Sequence, residues 1–182
     1  MGALAFAAGS APCGREVGRC PNTADVGELL RQLANAGVEF IVVGGAAAVL
    51  HGAPITTEDL DIVHRRTPEN VSRLKTVLDQ LDAHVRELAN RQLPPRESAL
   101  LGEGHVLLST RLGPLDCLGA LIDGRGFEEL VSNTESIEDE GVHFQIVDLP
   151  TLIDLKRKTG RAKDRLMLPV LIALAEELGG SD

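Results

Sequence analysis

The stretch 44–62 constrains this chain more than any other part of its sequence. It begins with a Gly-Gly pair, continues through the apolar run 46–50, and ends in Asp-Leu-Asp-Ile at 59–62. A glycine pair followed by an apolar run predicts a turn that opens a short helix. The alternation of acidic and apolar residues predicts a strand, in which Asp59 and Asp61 point to the same face roughly 6 to 7 Å apart.

Two neighbouring carboxylates repel each other unless a cation lies between them. Mg²⁺ takes hard oxygen ligands, typically one or two carboxylates together with substrate phosphates and water. The backbone N–H groups of a Gly-Gly turn that opens a helix are suited to an anion. A phosphate cradle at Gly44 and Gly45, beside a metal site at Asp59 and Asp61, therefore predicts chemistry on a nucleoside triphosphate.

A third carboxylate belongs to a predicted hairpin. Two apolar runs, 105–110 and 114–118, flank a turn at Gly113. Asp116 is the only charged residue between Gly113 and Asp123. A carboxylate inside an apolar strand is costly unless it is paired or bound to metal. Asp116 alone fits an outward-facing position on a half-exposed strand equally well, but the pair at 59 and 61 favours a third metal ligand.

These motifs resemble a known superfamily. The Gly-Gly pair, His51-Gly52, the Thr57-x-Asp59-x-Asp61 pattern and the later Asp116, in this order and spacing, resemble the nucleotidyltransferases, which include DNA polymerase β. Within that superfamily the chain most resembles the minimal AbiEii-like group, which includes toxins of some toxin–antitoxin pairs. The resemblance runs from about Val38 to Leu178 and implies the nucleotidyltransferase fold.

The resemblance also implies a reaction. It is the transfer of a nucleoside monophosphate from an NTP such as ATP to an acceptor hydroxyl, with pyrophosphate leaving. Two Mg²⁺ or Mn²⁺ ions, roughly 3.5 to 4 Å apart, would be held by Asp59 and Asp61, with Asp116 completing the site of one ion. The acceptor stays open between tRNA, protein and a small molecule, and a toxin would have a cognate antitoxin.

One position departs from the family pattern. Ile55 stands where relatives commonly carry an Arg within His-Gly-x-x-Arg-x-Thr-x-Asp. The departure favours an alternative, a non-catalytic nucleotidyltransferase-fold module for binding or regulation, whereas the retained carboxylates disfavour it.

A basic segment near the C-terminus has two interpretations. It contains six basic residues within ten positions, Lys156, Arg157, Lys158, Arg161, Lys163 and Arg165. Such a run is either a solvated helix face or a phosphate-binding patch. The resemblance makes Lys156, and Arg161 or Lys163, candidates to contact the nucleotide's phosphates. Asp164 has a structural alternative, in which it pairs with a neighbouring base.

Other candidate side chains carry weaker signals. His51 ends a short helix, where a structural role favoured by the helix dipole is commoner than a catalytic one. His64 directly follows the Asp strand, but nothing marks it as a base. Ser109 and Thr110 lack a plausible His–Asp partner set, which argues against a serine hydrolase.

Composition excludes several classes of protein. The net charge of -9 disfavours general adhesion to duplex nucleic acid or anionic membrane, and no apolar run reaches the roughly 18 residues of a membrane helix. With four Phe, no Trp and no Tyr, the chain lacks the aromatic platform that stacks single-stranded bases. Three cysteines, Cys13, Cys20 and Cys117, show no Cys-x-x-Cys spacing and favour a reducing cytoplasm.

The order of predicted elements indicates one α+β domain at 23–182, preceded by a disordered extension at 1–22. Its sheet is mixed, with four or five strands and helices packed against it. The predicted strands are 38–43, 59–63, 105–110, 114–118 and 142–147. The predicted helices are 24–36, 68–85, 149–158 and a last one ending near 178, and 89–103 is predicted to be a loop.

Overall fold

Seven strands form one mixed sheet in the computed structural model, which describes residues 21–86, 92–139 and 141–179. In chain order they are β1 (Phe40–Val43), β2 (Leu60–His64), β3 (His84–Val85), β4 (His105–Thr110), β5 (Gly113–Leu118), β6 (Thr134–Asp139) and β7 (Val142–Val147). Their order across the sheet is β3-β4-β5-β2-β1-β7-β6. The pairs β2–β5 and β1–β7 are parallel, and the other neighbours are antiparallel.

Seven helices accompany the sheet in the described residues. They are α1 (Val26–Asn35), α2 (Gly44–Leu50), α3 (Pro68–Gln80), α4 (Glu97–Leu100), α5 (Phe127–Leu130), α6 (Leu149–Thr159) and α7 (Ala162–Gly179). Local signals set their ends. The Asp25 and Thr67 side chains accept from Glu28 and Asn70 N–H groups at the starts of α1 and α3, and Gly160 ends α6 in the left-handed conformation.

The core is aliphatic and lies between the sheet and its helices. All four residues of β1 are buried, as a strand in the middle of a sheet requires. Among the residues that the structure describes, the largest fully buried side chains are ten Leu, such as Leu29, Leu74 and Leu115, and two Ile. Because aromatic residues are scarce, branched aliphatic side chains fill the core.

The predicted α+β fold is confirmed, whereas the strand count of four or five was too low. The five predicted strands all form, and the two additional strands, β3 and β6, are the edges of the sheet. The helix predicted to reach residue 85 ends at Gln80, because Asp82 adopts a left-handed φ of 50° and releases the chain into β3.

Parts of other predictions fall outside the described residues. These are 1–20 of the N-terminal extension, including Cys13 and Cys20, and 87–91. The rest of the predicted 89–103 loop contains α4, while Cys117 is a free, buried thiol. Within the described ranges, no helix combines the length and apolar character that a membrane crossing requires.

Candidate active site

Three aspartates meet at the centre of the sheet. Asp61 in β2 is the register partner of Asp116 in β5, so these two side chains project side by side from the same face. Asp59 lies in the bend that leads into β2. One carboxylate oxygen from each of the three lies within 4.8 Å of the others. The expected convergence of these residues is therefore observed, and Asp116 faces the pair.

The cluster is electrostatically unbalanced. Burial raises the pKa of Asp61 to about 7, with further increases from the negative charges of Asp59 and Asp116, although Lys156 and Lys163 act in the opposite direction. Burial also raises the pKa of Asp116 and the charge of Asp59 adds to the increase, although the charge of Arg86 acts in the opposite direction. The nearby positive charges therefore offset burial and carboxylate repulsion only in part.

The donor set fits a hard divalent cation. All three donors are carboxylate oxygens, they are close enough to share an ion, and nearby bases compensate their charge only in part. Mg²⁺ and Mn²⁺ favour such oxygen ligands, whereas softer metals favour thiolate or imidazole.

A glycine turn borders the cluster. Gly44, at the start of α2, has a φ of 68°, and a Cβ built there would overlap the Asp61 carboxylate. A Cβ on Gly45 would lie 2.7 Å from the Thr57 Oγ1. The Thr57 hydroxyl in turn donates to the Asp59 carbonyl oxygen at 3.0 Å. The Gly-Gly pair thus allows the backbone to lie directly against the Asp61 side chain.

Arg86 is a member of this site that no sequence motif predicted. It directly follows β3, and its backbone N–H donates to the Leu107 carbonyl at 2.8 Å. Its guanidinium Nη2 donates to Asp116 Oδ1 and to the Leu108 carbonyl, the latter at 3.1 Å. The contact depends on the pairing of β3 with β4, and β3 was not predicted.

The basic segment divides into separate environments. Lys156 Nζ donates to Asp164 Oδ1 at 2.7 Å, and the Thr159 hydroxyl donates to Asp164 Oδ2 at 2.5 Å. Burial acts to raise the pKa of Asp164, but these two hydrogen bonds lower it overall. Asp164 therefore takes the structural alternative, as the buried partner of Lys156.

The remaining bases of the segment are more exposed. Lys163 is exposed, yet near enough to lower the pKa of Asp61. Lys158 instead joins a surface network, with Nζ 3.1 Å from Asp123 and 2.8 Å from Asp154. Arg161 is exposed. The charges of Lys156 and Lys163 thus lower the pKa of Asp61.

His51 and His64, the two histidines considered in the sequence, have structural partners. The His51 ring nitrogen Nε2 lies 2.8 Å from the Val147 carbonyl and so ties α2 to β7. His64 is fully buried, with Nε2 2.7 Å from the Leu100 carbonyl, and burial lowers its pKa. Ile55, at the position where the family pattern has Arg, packs half-buried against the core.

The raised pKa of Asp61 predicts how the stability of the metal-free protein depends on pH. The folded state holds a proton up to about pH 7, while an unfolded Asp releases it near pH 3.8. The contribution of Asp61 to the free energy of unfolding should therefore fall by about 2 to 4 kcal/mol as the pH rises from about 4 to 7. The Asp61→Asn variant should not show this pH-dependent loss of stability.

The measurement is the free energy of unfolding in urea at pH 5 and pH 8, with EDTA, for wild type and Asp61→Asn. The difference in free energy of unfolding between the two proteins should be larger at pH 8 than at pH 5. When Mg²⁺ replaces EDTA at pH 8, this difference should become smaller, because the metal binds the ionised carboxylates. Parallel pH dependence of the two proteins would contradict the proposed charge imbalance.

Comparisons with known proteins place this geometry in a known fold. No protein-family model and no curated protein matches the sequence. Among solved structures, the lincosamide antibiotic adenylyltransferase LnuA, with lincomycin bound, is 11% identical, with a TM-score of 0.58 over 84% of this chain and 99% of its own. The antibiotic-resistance factor ANT(2'')-Ia is 15% identical, with a TM-score of 0.52 over 85% and 83%.

A third similar structure is a candidate nucleotidyltransferase from Thermotoga maritima. It is 18% identical to this chain, with a TM-score of 0.51 over 81% of this chain and 90% of its own. At these identities the similarity concerns the fold alone, and that fold is the one implied by the sequence resemblance. This chain has the nucleotidyltransferase fold.

Proposed function

We propose that this protein is a metal-dependent nucleotidyltransferase, which transfers a nucleoside monophosphate from an NTP such as ATP to an acceptor hydroxyl. The observation that carries the proposal is the convergence of Asp59, Asp61 and Asp116 on one face of the sheet, beside the Gly44–Gly45 turn. In a fold whose solved relatives include an adenylyltransferase, this arrangement is suited to triphosphate chemistry.

The residues of the site would have different roles in this reaction. Asp59, Asp61 and Asp116 would hold divalent ions, Mg²⁺ or Mn²⁺, which supply charge neutralisation and a more acidic acceptor hydroxyl. The absence of side chains at Gly44 and Gly45 lets this turn lie against Asp61 and Thr57, and its backbone N–H groups would steady the triphosphate beside the metal. Catalysis here consists of positioning the acceptor oxygen in line with the α-phosphate and of stabilising the charge that develops there.

The bases near the cluster would contact the phosphates. Lys163 is the strongest candidate, because it is exposed and its charge lowers the pKa of Asp61. Lys156 is already paired with the buried Asp164, so it contributes positive potential from a fixed position. Arg161 is adjacent to Lys163 along the chain and is available to the outer phosphates.

Lys163 and Lys158 provide a matched pair of variants. Lys163→Gln should weaken binding of a non-hydrolysable NTP roughly tenfold, because one charge-assisted hydrogen bond is lost. Lys158→Gln removes the same charge from a surface network with Asp123 and Asp154 and should leave affinity within about twofold. Calorimetric titration measures both. Equal affinities would assign phosphate binding to other residues.

The acceptor is the open part of the proposal. The lincosamide antibiotic adenylyltransferase LnuA has lincomycin bound, which supports a small molecule as one candidate acceptor beside tRNA and protein. A tRNA or protein acceptor would fit a toxin that is restrained by a cognate antitoxin. The proposed activity is the same in each case and differs in what receives the nucleotide.

A labelling screen identifies nucleotide and acceptor together. Purified protein is incubated with Mg²⁺, each α-³²P-labelled NTP in turn, and separated RNA, protein and small-molecule fractions of a cell extract. One fraction should acquire label with wild type and none with Asp61→Asn. Binding of NTP with no label in any fraction would instead support the non-catalytic module, which the substitution of Ile55 for Arg favours.

A further inference from the structure

Arg86 occupies a fixed position in the row of residues that crosses the sheet to the carboxylates. It lies beside Leu107, which is the register partner of Asp116, and Asp116 is the partner of Asp61. The guanidinium reaches across this row to Asp116 Oδ1. Its second acceptor is the Leu108 carbonyl. Arg86 is therefore held by main-chain and side-chain bonds at the edge of the cluster.

The contact is made in a partly shielded environment. The Asp116 side chain is 11% exposed and that of Arg86 is 30% exposed. Arg86 Nε is buried with no hydrogen-bond partner among the described residues. Leaving this donor unpaired costs free energy, which the charge-assisted hydrogen bond to Asp116 offsets.

The charges in the site determine how many cations it attracts. Three ionised carboxylates carry three negative charges, and Arg86 reduces the total to two, the charge of one divalent ion. Lys156 is balanced by Asp164, and Lys163 is exposed, where solvent and salt screen its charge. A second divalent ion would then bring a net positive charge, unless an NTP with about four negative charges arrives with it.

We propose that Arg86 is a built-in counter-cation that limits the nucleotide-free site to one divalent ion, so that a second ion enters only together with the triphosphate. The inference rests on the proposed function, and it assigns to Arg86 the coupling between metal occupancy and nucleotide. Arg86 also gives the site a cationic group, although this chain has Ile55 where the family pattern has Arg.

Two roles of Arg86 predict opposite effects of its removal. If it only orients Asp116, its loss should weaken metal binding. If its charge opposes the cation, its loss should strengthen binding. Coulomb's law gives a guanidinium and a divalent ion about 6 Å apart a repulsion worth roughly tenfold in affinity at the dielectric constant of water, and more inside a protein. The charge effect should therefore dominate.

The test is calorimetric titration of Mn²⁺ into nucleotide-free protein at pH 8. Wild type should bind one ion, and Arg86→Met should bind it about tenfold more tightly. Arg86→Lys retains the charge and should resemble wild type. Arg111→Met is the control for loss of an arginine, since Arg111 donates to the Gln80 carbonyl, outside the cluster. It should leave affinity unchanged.

A second variant guards against misfolding. Arg86→Met leaves Asp116 without its partner, whereas Arg86→Gln removes the positive charge, retains a side-chain N–H donor and leaves all three carboxylates in place, so it should also bind Mn²⁺ about tenfold more tightly than wild type. Unchanged or weaker binding by Arg86→Met, in a protein with native circular dichroism, would overturn the inference. If Arg86→Met unfolds, Arg86→Gln decides, and unchanged or weaker binding by that variant would overturn the inference.

Stoichiometry gives an independent criterion. Two ions bound to wild type without nucleotide would also overturn the role of Arg86, while leaving the proposed function intact. Adding a non-hydrolysable NTP should raise the stoichiometry of wild type from one to two. Absence of metal binding in every protein, with and without nucleotide, would overturn the proposed function itself.

Discussion

Asp61→Asn is expected to abolish nucleotidyl transfer while the protein remains folded. Asp61 is the central carboxylate of the cluster, beside Asp116 in register and against the Gly44 backbone. Metal-ion stabilisation of the transition state is worth several kcal/mol, so transfer should fall at least ~10³-fold. The neutral amide also removes carboxylate repulsion, and the metal-free variant should be at least as stable as wild type at pH 8.

The matched control is Asp154→Asn, which removes a carboxylate from the surface network around Lys158. Its transfer rate should stay within about twofold of wild type. Incorporation of label from α-³²P-NTP measures the rate, and Mg²⁺-dependent shifts in melting temperature report metal binding. Transfer by Asp61→Asn at the wild-type rate would contradict the proposed metal site.

Gly44→Ala is expected to have the second largest effect, on stability and activity together. The added methyl would need a left-handed backbone that costs about 1 to 2 kcal/mol, and it would overlap the Asp61 carboxylate. Overpacking adds about 1 to 3 kcal/mol. The total loss of stability should be about 2 to 5 kcal/mol. A displacement of Asp61 by about 1 Å should lower transfer on the order of 10²-fold.

Gly52→Ala separates the two contributions. Gly52 has a φ of 97°, and nothing lies within 4 Å of a Cβ built there. It should therefore show the backbone cost alone, with transfer close to wild type. Urea unfolding and label incorporation measure both variants. Equal losses of stability in Gly44→Ala and Gly52→Ala would show that the Gly44 backbone does not lie against Asp61.

The central strands were predictable from sequence because burial forces their composition. The runs that became β1, β2, β4, β5 and β7 are rich in branched apolar residues. The edge strand β6 is mostly polar, with Ile137 half-buried between exposed neighbours. It forms through its backbone pairing with β7, and such pairing leaves little trace in hydrophobic pattern.

The end of α3 was misplaced for a related reason. Its apolar spacing continues through Leu81, so periodicity predicted a longer helix. Asp82 then takes a φ of 50°, which Asp tolerates better than most residues, and the short edge strand β3 follows. Without β3 the position of Arg86 is unpredictable, because its contact with Asp116 spans 30 residues and requires β3 beside β4.

The carboxylates of the site were more predictable than its bases. Strand periodicity places Asp59 and Asp61 on one face, and the carboxylate of Asp116 inside an apolar run suggested a ligand. The basic segment offered no comparable rule, because its bases are divided between α6, α7 and the connection between them, and the sequence does not fix which of them face the cluster. Only the tertiary structure shows that Lys156 binds Asp164 and that Lys158 binds Asp123 and Asp154.

The most direct test of the proposed function is the fate of the phosphates. Once the labelling screen has identified a nucleotide and an acceptor, the reaction is run in parallel with α-³²P and γ-³²P forms of that NTP. Nucleotidyl transfer predicts that the α label joins the acceptor while the γ label leaves as pyrophosphate, and that Asp61→Asn does neither. Transfer of the γ label to the acceptor would contradict nucleotidyl transfer and identify the protein as a phosphotransferase.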